Sequence, residues 1–166
     1  MDTIRRRRSI RRYTTQTVAP EMVQCLLEAA MSAPSAGNEQ PWEFIVITDR
    51  ELLQAIMKIH PYSQMLKEAP LAIAVCGNID REKYPGFWVE DCSAATENIL
   101  LEAEERGLGG VWLGIYPHED RVQSFTALFS IPARIIPLSL VVIGHPAEKK
   151  SPAERFDASR IHTNHW

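Results

Sequence analysis

Short apolar runs alternate along this chain with stretches whose apolar residues recur at helical spacing. Residues 43–48 (Glu-Phe-Ile-Val-Ile-Thr), 71–76 (Leu-Ala-Ile-Ala-Val-Cys), 111–115 (Val-Trp-Leu-Gly-Ile) and 138–143 (Leu-Ser-Leu-Val-Val-Ile) are rich in β-branched side chains and short enough to be buried strands. Between them, Val23, Leu26, Leu27 and Ala30 fall at i, i+3, i+4 and i+7, which predicts a helix opening near Pro20 and closing before Pro34. Leu52, Ala55, Ile56 and Ile59 mark a second helix. Cys92, Ala95, Thr96, Ile99 and Ala103 mark the longest, over residues 88–106, with Gly107 placed as its C-terminal cap. A short helix follows over residues 118–128. Glycines end two of the strands, at Gly77-Asn78 and Gly144-His145-Pro146.

Strands alternating with helices predict an α/β or α+β sheet packed by helices, and periodicity does not choose the strand order. The length, 166 residues, favours one domain over residues 1–166. Residues 147–166 are polar and weakly periodic. They read as a tail that crosses another surface, with Trp166 as an anchor.

Composition narrows the function classes. With 45% hydrophobic and 23% charged residues, the chain has the make-up of an ordinary globular protein. A formal net charge of −3 argues against bulk attraction to nucleic acid. No apolar run reaches the roughly 18 residues of a membrane span. The arginine-rich start lacks the apolar stretch of a secretory signal, so a cytoplasmic address is expected. Cys25, Cys76 and Cys92 have neither disulfide nor zinc spacing and read as small buried hydrophobes. The histidines show no HExxH pattern, and no G-x-S-x-G is present, so neither a metal site nor a serine nucleophile is expected. Glu102, Glu104 and Glu105 read as a solvated helix face.

Three segments could carry chemistry. Arg7-Arg8-Ser9-Ile10-Arg11-Arg12-Tyr13 offers guanidinium forks and a hydroxyl suited to a phosphate, or it is a solvated arm. Residues 33–42, Ala-Pro-Ser-Ala-Gly-Asn-Glu-Gln-Pro-Trp, place Gly37 where backbone can approach closely. Asn38 and Gln40 offer amides that read a heterocycle's edge; alternatively this is only a loop. Residues 107–114, Gly-Leu-Gly-Gly-Val-Trp-Leu-Gly, follow a helix and precede a strand, the reverse of a dinucleotide fingerprint. Such a strand could let a flat ring lie against its backbone, or Gly107 is a cap and Gly114 a bulge.

These segments, in this order, together with Arg155-Phe156-Asp157 and His162-Thr-Asn-His-Trp166, resemble the FMN-dependent nitroreductase family over nearly the whole chain. The resemblance implies an α+β fold with a central, mostly antiparallel sheet flanked by helices. It also implies an intertwined homodimer whose C-terminal tail crosses to the partner subunit. Carried over, Arg7, Arg8, Ser9 and Arg11 would hold the phosphate, ribityl chain and pyrimidine edge of one FMN. Pro34, Ser35, Ala36 and Asn38 would reach the same flavin from the other subunit. Backbone at Leu113 and Gly114 would lie near the flavin N5, and Arg155 would complete the phosphate clamp. The chain departs from the family at Ala153, where many relatives are basic, and Lys149 or Lys150 is the expected substitute.

The implied activity is FMN-dependent oxidation of NADH or NADPH coupled by a ping-pong cycle to a nitroaromatic, quinone or similar small acceptor, with no acid–base side chain named. The region between Ile59 and Trp88 is brief, where relatives often cover the flavin. Tyr62, Phe87 and Trp88 are candidates there for either pocket wall or core. That brevity motivates the alternative of a flavin-binding redox sensor with little turnover. A nucleic-acid-binding arm at residues 5–12 is the third reading.

Overall fold

The structure, a computed structural model, describes residues 2–166. Its elements are helices α1 (Asp2–Arg6), α2 (Pro20–Met31), α3 (Arg50–Ile59), α4 (Trp88–Glu105) and α5 (Glu119–Phe129), and strands β1 (Trp42–Ile47), β2 (Leu71–Asn78), β3 (Gly109–Gly114) and β4 (Ile135–Gly144). Local chemistry sets the boundaries. Pro20 opens α2 where its missing N–H is not needed. The Asp49 carboxylate accepts the Leu52 N–H at 2.9 Å and caps α3. Gly107, at φ +72°, ends α4 as its position predicts.

The strands form one sheet in the order β1-β2-β4-β3, and every neighbouring pair is antiparallel. Alternation along β2 divides the core in two. Leu71, Ile73 and Val75 face α4 and α2 and pack with Trp42, Trp88, Cys92, Ile99 and Leu26. Ala72, Ala74 and Cys76 face α3 and α5 and pack with Leu53, Ile56, Val111, Leu113 and Phe125. The fold is therefore α+β, an antiparallel sheet flanked by helices. The register irregularity lies between Val75 and Cys76 of β2, whereas Gly114 stays in register with Ser139 and forms no bulge. Cys76 and Cys92 are buried, as expected, and Cys25 is half-buried.

Two segments depart from the sequence expectation. Residues 2–6 form a short helix, held by the glutamates read as a solvated face. Thr3 donates to Glu105 at 2.5 Å, and Arg6 pairs with Glu104 at 3.5 Å and Glu105 at 3.4 Å. Residues 9–13 are an ordered part of the sheet edge rather than a solvated arm. The Ile10 N–H donates to the Gly110 carbonyl at 3.0 Å, and the buried Tyr13 hydroxyl donates to the Ile10 carbonyl at 2.5 Å. This approach needs glycine, because a Cβ on Gly109 would come within 2.8 Å of Ile10.

Gly77 is constrained more tightly. A Cβ there would stand 2.3 Å from Trp88 Cε3 and 2.9 Å from Cδ2, against a ring buried between sheet and α4. Gly77→Ala is expected to destabilise the chain by about 1–3 kcal/mol through overpacking. A thermal melt should register this as roughly 2–4 °C per kcal/mol; an unchanged melting temperature would refute the packing described.

Candidate functional site

Residue alternation along β3 prepares the first part of the site. The Ile115 N–H donates to the Leu138 carbonyl at 3.0 Å, so residues 111, 113 and 115 address β4, and residues 110, 112 and 114 turn their backbone groups to the outer edge. Ile10 occupies that edge at Gly110. At Gly114 the carbonyl is held instead by side chains, with His60 Nε2 at 3.0 Å and Arg121 Nη1 at 2.9 Å. The Gly114 N–H faces away from β4 at the same open edge.

His60 is buried at 1% exposure. Burial first, opposed by the bond to Gly114 and aided by the Arg121 charge, holds its pKa below the ordinary histidine value. The neutral ring is consistent with its bonds: Nε2–H donates to Gly114, and Nδ1 accepts the Tyr62 N–H at 3.3 Å. Arg121 also lies over the Tyr62 ring, 5.7 Å from its centroid.

These residues, with Arg11, Trp112 and Leu113, line a cleft of about 270 Å³. A Cβ built on Gly114 would meet nothing within 4 Å, so the strand presents bare backbone to open space. The Arg11 backbone N–H is taken by Glu148 at 2.6 Å, but among the described residues its guanidinium has no hydrogen-bond or ion-pair partner. Arg11, Leu113 and Gly114 are therefore brought together, as the family resemblance implies.

The other basic residues are placed differently. Arg7 pairs with Glu97 of α4 at 3.2 Å. Arg8 donates to the carbonyls of Ser151, Arg7 and Arg5 at 2.8, 2.7 and 3.1 Å. The Ser9 carbonyl accepts Lys150 Nζ at 2.7 Å. Arg8, Lys149 and Lys150 line a second cleft of about 470 Å³ together with Arg6 and Ile10. Lys150 thus stands beside the basic segment, where Ala153 carries no charge. Arg155 lies outside that cleft, on the exposed tail, next to Arg5, Pro152 and Phe156.

Pro34, Ser35, Ala36 and Asn38 form the loop before β1, and the structure does not bring them to this edge. β1 and β3 are opposite margins of the sheet, about 14 Å apart at three strand spacings. The loop is built from left-handed residues, Gly37 at φ 52°, Asn38 at 56° and Gln40 at 48°. The Ser35 hydroxyl oxygen accepts the Gln40 N–H at 3.0 Å, and the Ala36 N–H donates to Asp91 at 3.0 Å. Tyr84 covers Gly37, where a Cβ would come within 2.4 Å of its ring. Of the wall candidates, Trp88 is buried in the core, while Tyr62 and Phe87 are exposed. Among the described residues no cluster of histidine, cysteine and acidic side chains could hold a metal, and no helix is long and apolar enough to cross a membrane.

His60, Arg121, Glu39 and Asp91 were not singled out from the sequence. Asp91 had a signal: it shares the buried face of α4 with Trp88 at i−3 and Ala95 at i+4, both apolar.

Comparison with known proteins adds three findings. The model described as the nitroreductase family matches residues 4–61 and 58–145. A protein of Methanothermobacter thermautotrophicus with the provisional name NADH dehydrogenase/NAD(P)H nitroreductase is 50% identical over 166 residues, which is 100% of this chain and 87% of its own. Among solved structures, a Clostridium acetobutylicum protein provisionally called an NADH oxidase superposes with a TM-score of 0.96 at 44% identity, covering 99% of this chain and 100% of its own. A Desulfovibrio desulfuricans protein, provisionally a nitroreductase and solved in complex with FMN, superposes with a TM-score of 0.86 at 31% identity, over 99% and 96% of the two chains.

Proposed function

This chain belongs to the nitroreductase family, and from that premise we propose that it binds FMN as a homodimer and passes reducing equivalents from NADH or NADPH to a nitroaromatic, quinone or similar small acceptor. The observation that carries the reading is the open edge at Gly114, with bare backbone, an outward N–H and an uncommitted Arg11 guanidinium in one cleft. These residues fit a flat, anionic-when-reduced ring. Bound FMN would supply hydride transfer through its N5.

The chain supplies position and charge. The Gly114 N–H is a donor for a ring nitrogen, and His60 and Arg121 steady the strand there by holding the Gly114 carbonyl, in the peptide that follows. Arg11 places positive charge where a reduced pyrimidine edge needs it. The Ser9 hydroxyl, Arg7, Arg8 and Lys150 form the phosphate end, with Arg155 of the tail completing it. Arg7 and Arg8 exchange their present partners, Glu97 and backbone carbonyls, for the phosphate. Reductant and acceptor use the same cleft in turn, a ping-pong cycle that needs no further acid–base side chain.

The dimer reading rests on two features. Pro34, Ser35, Ala36 and Asn38 lie across the sheet from Gly114, so one site takes these residues from the partner subunit. The chain also exposes 9799 Å², whereas a compact monomer of 18.8 kDa exposes about 8,300 Å². The surplus is concentrated in residues 151–166, all exposed. We read the chain as one domain, with this tail crossing to a second copy, acting in the cytoplasm.

The brief segment after α3, which returns to the sheet at Leu71 after a single 3-10 turn, favours a second reading: a flavin-binding sensor with little turnover. One experiment separates them. The purified protein is expected to be yellow, to bleach on anaerobic addition of NADPH or NADH, and to oxidise the nucleotide with a quinone or nitroarene well above the rate of free FMN. Bleaching without turnover would favour the sensor. A colourless protein that takes up no added FMN would overturn both.

A further inference from the structure

Two carboxyl groups that the proposed reaction does not use lie buried behind the loop at residues 35–38. Glu39 closes that loop at 7% exposure, and Asp91 stands in the first turn of α4 at 5%. Glu39 Oε2 accepts the backbone N–H groups of Lys83 at 2.7 Å and Tyr84 at 3.2 Å. Asp91 Oδ1 accepts the Ala36 N–H at 3.0 Å. The other oxygen of each, Glu39 Oε1 and Asp91 Oδ2, is buried and receives no N–H or O–H from any other described group. Both carboxyls bracket the same short loop, Asp91 at the Ala36 N–H and Glu39 at the loop's end, and the charge of Glu39 reaches Asp91. Two bare carboxylates in that position would repel and leave both inner oxygens unsatisfied, a costly arrangement in a buried site.

We propose that Glu39 and Asp91 share a single proton, and that this acid–carboxylate pair is the positioning device that clamps residues 35–38 onto α4 and onto residues 83–84. With the proton on Asp91 Oδ2 and donated to Glu39 Oε1, all four carboxyl oxygens are satisfied. Burial first, then the charge of Glu39 and its hydrogen bond, hold the Asp91 carboxyl above the usual carboxylate range, against the opposing pull of the Ala36 N–H. The remaining titratable neighbours leave this intact. Glu90, also on α4, adds negative charge and pushes the same way. The Cys92 thiol is raised by burial and stays neutral. Glu82 is occupied by the Gly86 and Trp88 N–H groups at 2.7 and 3.3 Å. Lys83 Nζ bonds the Gly37 carbonyl at 3.2 Å.

The clamp matters because the loop has left-handed residues at 37, 38 and 40, a conformation that is uncommon for a side-chain-bearing residue such as Gln40. The sign of the pH dependence follows. A carboxyl raised in the folded state costs nothing below its ordinary pKa, costs progressively more up to its raised pKa, and costs a constant amount above it. Deprotonation therefore loosens the loop as pH rises. The consequence for ligand binding rests on the flavin reading; the shared proton does not.

Three variants test the pair: Glu39→Gln, Asp91→Asn and the double change. In either single variant the new amide donates across the gap to the remaining carboxylate and replaces the proton. In the double variant two amide N–H groups face each other. In the flavin-free parent, infrared difference spectra should show a protonated-carboxyl band that persists above the pH at which ordinary carboxyls have ionised, shifts in D2O and is absent from both single variants. FMN affinity of the parent, read by fluorescence quenching, should weaken by about tenfold across the pH range over which the protonated-carboxyl band disappears. The single variants should keep tight, nearly pH-independent binding, and the double variant should bind about tenfold more weakly throughout. Absence of the band, or its persistence in a single variant, overturns the shared proton. A double variant that binds like the single ones overturns the positioning role. If the band behaves as expected but the parent binds no FMN, the pair stands and the flavin reading falls.

Discussion

A chain ended after Pro152 is expected to fold, to sediment as a monomer and to lose FMN. Residues 153–166 are all exposed in the isolated chain, with Phe156 at 86% and Trp166 at 101% exposure, and the Trp166 ring stacks on His162 of the same tail at 4.3 Å. Removing them therefore takes nothing from either core cluster. The contact that fastens the start of the tail, Arg8 to the Ser151 carbonyl, is retained. In a symmetric dimer the same residues would be buried twice. Burying Phe156, Ile161 and Trp166 from each copy contributes about 9–18 kcal/mol gross at about 1.5–3 kcal/mol per side chain. Association itself costs about 4–15 kcal/mol. Losing the tail contribution thus tips the balance to monomer, and with it go the partner's loop and Arg155. Sedimentation velocity with FMN titration reads both results. A truncated chain that remains dimeric and yellow would refute the crossing tail.

Most of the elements were legible because local chemistry decides them. The four apolar runs became β1, β2, β3 and β4 with edges shifted by a few residues, and Gly107, Pro20 and Pro34 punctuate helices as their stereochemistry requires. Strand order was not legible, because each pair of successive strands is joined through a helix and periodicity is blind to where that helix returns. The short helix α1 was missed for a related reason. Five residues carry almost no periodic signal, and what holds them are glutamates about a hundred positions away.

The site divides along the same line. Arg11, Leu113 and Gly114 converge because residues 9–13 run beside β3, so a local motif and a neighbouring strand suffice. Arg7 and Arg8 were named for phosphate, yet within the chain their charge is answered by Glu97 and by backbone carbonyls. The Glu39–Asp91 contact joins a loop to a helix far along the chain. No window of the sequence contains both residues, and only the lone acid on an apolar helix face hinted at it.

Gly114→Val is expected to leave the chain as stable as the parent while abolishing tight FMN binding. The contrast with Gly77 gives the reason. Both glycines sit in strands, but a Cβ at Gly77 collides with Trp88, whereas one at Gly114 meets nothing within 4 Å. A β-branched residue suits an extended strand, and β3 keeps its register with β4 through residues 111 and 113. Stability should therefore change by no more than about 0.5 kcal/mol. The valine methyl groups would fill the space in which the proposed ring meets bare backbone. β3 cannot retreat to make room, because its inner edge is hydrogen-bonded to β4 and His60 and Arg121 hold the Gly114 carbonyl at the outer edge. A loss of at least about 100-fold in affinity, about 2.7 kcal/mol, is expected from this exclusion. Fluorescence titration gives the affinity, and a thermal melt of the flavin-free protein gives the stability. Unaltered binding would place the flavin elsewhere, and a large fall in melting temperature would show that Gly114 serves the fold rather than the site.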